Sequence, residues 1–220
     1  MSDPPQGGSV ASEAAELRER MRQGELSEER VRLASQLGSR AAVEALGGGA
    51  PARIKLPVRG PYEPGFEGGI EGRCRCYAAM AWYAYTHSES GNPRLQDSVL
   101  TSIRDFEAQL FELADPSRLA VHLDPATLAA FEPKERDEDD DDLEFADPLL
   151  AVLWLLVAVQ GSLSGRPAWV REAQWKRTWD AFFFGVIHKL NEVLRAEVLP
   201  WALGRGDPFR ERCRARADKG

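Results

Sequence analysis

The chain has 220 residues, 43% of them hydrophobic and 29% charged, with a formal net charge of -7. That is enough apolar content for one packed main domain, and the acidic balance disfavours nucleic acid as a partner, because phosphate contacts need an excess of Lys and Arg. The longest apolar run, Leu149 to Val159, is shorter than the about 20 residues a bilayer-crossing helix needs, so no membrane span is expected.

The charge is uneven. Glu132 to Asp147 holds ten acids and two bases, a local -8, and -7 less -8 leaves +1 for the rest of the chain. From Arg205 to Gly220 six bases face three acids, a local +3, so the acidic run and the basic tail are expected to attract one another, weakly where both are exposed and screened by salt. Cys74, Cys76 and Cys213 are an odd number of cysteines, and the start of the chain has no apolar core of signal-peptide length. Together these predict a reduced, cytoplasmic setting.

In chain order, residues 11–51 hold three short helices. Leu17 and Met21 lie one turn apart in the first, which ends at Gly24; Ser27 caps the second, which carries Val31, Leu33 and Ala34 and breaks at Gly38. The third runs from Ser39 to Leu46 and ends at Gly47-Gly48-Gly49. Residues 1–48 are therefore expected to form a small N-terminal helical module. The Gly- and Pro-rich stretch 49–72 is expected to be a connector. Its glycines at 65, 68, 69 and 72 are followed by no Gly-Lys-Ser/Thr and preceded by no clear strand, so no nucleotide fingerprint is met.

The main domain is expected over 73–220, beginning with "RCRCYAAMAWYAYTHSES". No charge falls between Cys76 and Thr86, and alanines interleave with Met80, Trp82, Tyr83 and Tyr85 all round the helical wheel, which predicts a buried helix. At about 100° per residue, Cys74 and Cys76 point about 200° apart and cannot share one ion; no second Cys pair or His-x3-His follows, so no metal is expected. Arg73 and Arg75 favour a thiolate at Cys74 or Cys76, yet a cysteine in such a helix is more simply a small buried hydrophobe.

Beyond Gly91-Asn92-Pro93, Leu95, Val99, Ile103, Phe106, Leu110 and Leu113 recur at helical spacing, the clearest amphipathic helix in the chain. Asp115-Pro116 and Asp124-Pro125 each pair a cap with a proline at the first helical position, so one or two short helices are expected between 115 and 132, with His122 at their junction. The acidic segment 134–144 has too little apolar content to fold alone and no EF-hand register, so it is expected to be a solvated loop. Asp147 can cap the next helix, Pro148 to about Ser162, apolar nearly all round. A last stripe runs through Trp175, Trp179, Phe182, Phe183, Val186, Leu190, Leu194 and Leu199, with His188 close to it. With no sustained alternation of period two, the expected fold is all-α: an irregular helical bundle with a small N-terminal helical module.

Residues 24–47, "GELSEERVRLASQLGSRAAVEALG", resemble a helical module near the start of uncharacterised bacterial proteins, and residues 197–208, "EVLPWALGRGDP", resemble a C-terminal phrase of the same kind. The resemblance implies an all-helical protein and carries no catalytic residue or ligand. The Ala-rich helix followed by a proline break and a Leu/Phe helix is more loosely similar to helical immunity proteins of bacterial toxin systems.

No phosphate loop, metal spacing, nucleophile elbow or cofactor motif is present. The expected function is therefore that of a non-enzymatic cytoplasmic protein that binds another protein, as an immunity or adaptor protein does. Its partner would have a basic surface and would meet the six consecutive acids Asp137, Glu138, Asp139, Asp140, Asp141 and Asp142. The same run could imitate nucleic acid in a basic groove. The alternative is a small hydrolase or transferase with a site assembled between helices from Cys74, His87, His122, His188, Glu107 or Glu112.

Overall fold

A hydroxyl at the head of each short helix organises the N-terminal region in the computed structural model, which describes residues 9–49, 66–87, 93–112, 189 and 191–217. Ser9 accepts from Ser12 N at 3.2 Å and starts α1 (Val10–Arg22); Ser27 accepts from Arg30 N at 3.3 Å and starts α2 (Glu28–Gln36); Ser39 accepts from Ala42 N at 3.2 Å and starts α3 (Arg40–Ala45). Each cap satisfies an amide that the helix itself leaves unpaired. Gly38, at φ +91°, turns the chain between α2 and α3 in the left-handed region that a side chain disfavours. Ala14, Leu17, Val31, Leu33, Ala34, Leu37, Ala41 and Ala42 are buried where these helices meet. These are the three short helices expected in the N-terminal region.

The next helix, α4 (Gly69–His87), begins four residues before the predicted start at 73. Gly68, Gly69 and Gly72, read from sequence as part of a connector, have a packing role instead. A methyl on Gly68 would come 2.6 Å from Leu33 Cδ2, and one on Gly72 would come 3.0 Å from the same atom and 3.7 Å from the Trp201 ring. The glycines let the first turn of α4 lie directly on α2, a gain in approach that outweighs their low helix propensity.

From Cys74 to Ala81 every residue of α4 is buried; Thr86 and His87, at its end, are exposed. α5 (Pro93–Glu112), separated from it by residues 88–92, packs against it, and Leu95, Val99, Ile103, Phe106 and Leu110 are all buried, as their spacing predicts.

The C-terminal region contributes α6 (191–197), α7 (Leu199–Ala202) and α8 (Pro208–Ala217). Of the last predicted stripe, Leu194 is buried and Leu199 half-buried. α2 packs on both α4 and α7, and α8 packs on α5, so the N-terminal module docks on the body and a single cluster of buried residues joins all three regions. The fold is all-α, and there is no strand among the described residues. The short helices expected between 115 and 132, the acidic segment 134–144, the apolar helix from Pro148 and most of the stripe 175–199 lie outside the described residues.

Candidate functional site

The polar centre of the described fold is Arg75, on α4, whose side chain is only 6% exposed. A guanidinium cannot shed its charge, so its burial must be compensated by acids and π faces. Its Nε donates to Glu71 Oε1 at 3.0 Å, one helical turn back, and its Nη1 donates to Asp207 Oδ1 at 2.8 Å, just ahead of α8. Three rings surround it: the guanidinium carbon lies 4.5 Å from the Trp201 ring centre, 5.7 Å from Phe111 and 5.8 Å from Phe209. Arg75 thereby touches α5, α7 and α8 from a position on α4.

Asp207 acts twice. The oxygen that binds Arg75 also accepts from Arg210 N at 3.0 Å, so the carboxylate that neutralises the buried arginine is also the N-cap of α8. Arg212, one turn further along α8, repeats the pairing with the charges exchanged: it binds Glu197 and lies 3.8 Å from Glu107 Oε1, a buried α5 carboxylate. Its guanidinium carbon is 5.1 Å from the Phe209 ring centre, so Phe209 sits between two cations.

Arg30 shares Trp201 with Arg75, its guanidinium carbon 4.4 Å from the ring centre, and donates to the Trp201 carbonyl. Burial is the largest influence on Arg30 and lowers its pKa; Glu71 opposes that shift. Other arginines do the same at other helix ends. Arg20 donates to Leu203 O at 2.9 Å at the end of α7, Arg195 to Leu37 O at 2.6 Å at the end of α2, and Arg18 to Ala45 O at 3.2 Å at the end of α3. Terminal carbonyls lack intrahelical donors and carry the negative end of the helix dipole, so a guanidinium is well matched to them.

The catalytic candidates do not come together. Cys74 and His87 lie on one helix thirteen residues apart, about 20 Å at 1.5 Å per residue, with the cysteine buried and the histidine exposed. Burial pushes the Cys74 thiol up to about 12, against a smaller downward pull from Arg73, and moves Cys76 in the same direction. Both cysteines are therefore protonated core residues, as expected for Cys76. His87 stacks on Tyr83 with ring centres 4.0 Å apart, and its Nδ1 is 2.9 Å from Tyr83 O. Glu107 faces Arg212. His122, His188, the acids Asp137 to Asp142 and the Glu112 side chain lie outside the described residues.

Among the described residues no three His, Cys, Asp or Glu side chains are grouped to hold a metal, and no helix is long and apolar enough to cross a membrane. No family model, curated protein or solved structure matches the chain. Sequence reasoning missed the Arg75 cluster and α8. Both left signals: Glu71 and Arg75 stand at i and i+4, and Asp207-Pro208 is the same cap-and-proline pair that marks helix starts elsewhere in the chain.

Proposed function

We propose that this protein works by binding another protein, without catalysis, and that the acidic run Asp137 to Asp142 meets a basic surface on that partner. The observation that carries this reading is how the basic C-terminal region spends its charge. Arg205 binds Glu13 at 3.1 Å, Arg212 binds Glu197 and faces Glu107, and Asp207 is committed to Arg75. Two of the six bases of residues 205–220, Arg205 and Arg212, are paired with acids of the folded body. The local charge of -8 over Glu132 to Asp147 would then act on another molecule. The looser resemblance to helical immunity proteins favours the same class.

The partner is to be cross-linked and isolated from the native cell. Its association rate is then measured with the wild-type chain and with a chain in which the six acids are changed to Asn or Gln. The reading expects the rate to fall several-fold on neutralisation, and the wild-type rate to fall between about 0.1 and 1 M salt as the Debye length shrinks from about 10 to about 3 Å. Equal rates for the two chains would overturn the role of the acidic run.

A further inference from the structure

We propose that the C-terminal segment Leu199–Ala217 is a strap, fastened by a reciprocal ionic clasp, that closes the N-terminal module onto the α4–α5 pair and releases it when unfastened. The clasp has two halves of opposite sense. The body offers Arg75 to Asp207 of the strap at 2.8 Å, and the strap offers Arg212 to Glu107 of the body at 3.8 Å. Phe209, 1% exposed, lies between the two guanidiniums and is the one fully buried apolar side chain among the described residues of α8. A ten-residue helix is too short to persist alone in water, and one buried ring is a small apolar anchor. The helicity of α8 therefore depends on its seat.

The other end of the strap is the seat of the module. Trp201, 6% exposed, takes Arg30 of α2 on its ring and carbonyl, while Arg20 of α1 donates to Leu203 O and Gly204 O. Arg75 ties the two ends together, because one guanidinium binds Asp207 and lies against the Trp201 ring. Opening at α8 thus takes Asp207 from Arg75 and loosens the guanidinium against which Trp201 lies, and Trp201 is one of the residues the module grips. By contrast α4 and α5 bury long stripes on one another and keep their contacts when the strap leaves.

Hydrogen exchange on the full chain tests this with Asp207→Asn, which retains an N-cap acceptor for Arg210 N but removes the charge facing Arg75. The strap predicts that amides 210–216 and amides 31–37 exchange faster together, by at least about 10-fold more than amides 78–84 and 99–106 do. Faster exchange at 210–216 alone would show a fraying helix with no hold on the module, and either no change or an equal rise over the whole core would also overturn the proposal. Should Asp207→Asn abolish the helical circular dichroism signal, Arg212→Lys, which keeps the charge but loses the forked geometry, is read by the same criteria.

Discussion

Arg75 Nη1 and Asp207 Oδ1 lie 2.8 Å apart although 132 residues separate them in the chain. The pair is one of two polar links between the α4–α5 pair and the C-terminal region, and most of its value comes from the cost of breaking it. Asp207→Asn leaves a guanidinium buried with only the partly exposed Glu71 as its acid, which is expected to cost about 3 kcal/mol or more. Asp207→Ala also removes the cap of α8, adding about 1 kcal/mol. Urea unfolding of the two variants should rank them in that order.

The thiols give a pH signature. Burial raises Cys74 to about 12 and raises Cys76 too, from the ordinary thiol value of 9.0, so both folded thiols stay protonated where unfolded ones ionise. A raised acid contributes stability that is intact below about pH 9 and declines as pH climbs toward the folded value. Stability is expected to fall above pH 9, approaching about 1.4 kcal/mol per pH unit for each thiol. The Cys74→Ala, Cys76→Ala double variant should show a flatter decline between pH 9 and 11. Native labelling with a bulky thiol reagent should modify Cys213, which is partly exposed, well before the other two.

Gly24 and Gly38 separate backbone strain from a lost contact. Both have positive φ, +74° and +91°, so alanine at either costs about 1 kcal/mol for the left-handed conformation. A methyl on Gly24 meets nothing within 4 Å, whereas one on Gly38 strikes the Arg195 guanidinium that caps Leu37 O. Gly38→Ala should therefore be the more destabilising by about 1 kcal/mol, the size of one hydrogen bond. In an Arg195→Ala background that excess should vanish, and thermal melts of the four variants would show whether it does.

Ser27 tests how far the module's stability reaches. Ser27→Ala is expected to cost about 1 kcal/mol through the lost cap on Arg30 N. Ser27→Asp should restore it, since aspartate caps equally well and suits the positive end of the helix. Because α2 carries Arg30 and Leu33 into the junction with Trp201 and Gly72, the alanine variant should lower the single melting transition of the chain and produce no separate early transition.

Local rules made the short N-terminal helices and the α4–α5 pair legible. The Ser27 cap, the break at Gly38 and the stripe from Leu95 to Leu110 are properties of neighbours along the chain, and each appears in the structure where spacing puts it. The charge-free run after Cys76 foretold burial for the same reason. What escaped was long-range. A charge at position 75 in a helix of alanines and aromatics looks like a break in the apolar pattern until Asp207 and Trp201 arrive from the other end of the chain to surround it. Gly68 and Gly72 looked like a loop because close approach to Leu33 leaves no trace in local sequence. The acidic candidates Asp137 to Asp142 remain a reading of charge, since the described residues do not include them.

The central claim is that the buried charges of this protein are spent on closing its fold, and a double-mutant cycle on Arg75 and Asp207 tests it most directly. Unfolding free energies are measured for the wild type, Arg75→Met, Asp207→Asn and the double variant. A closing pair predicts that each single change is costly and that the double costs less than their sum, with a coupling of about 2 to 3 kcal/mol. A coupling below about 0.5 kcal/mol, with Arg75→Met as stable as the wild type, would contradict it and return Arg75 to the list of groups available for binding or chemistry.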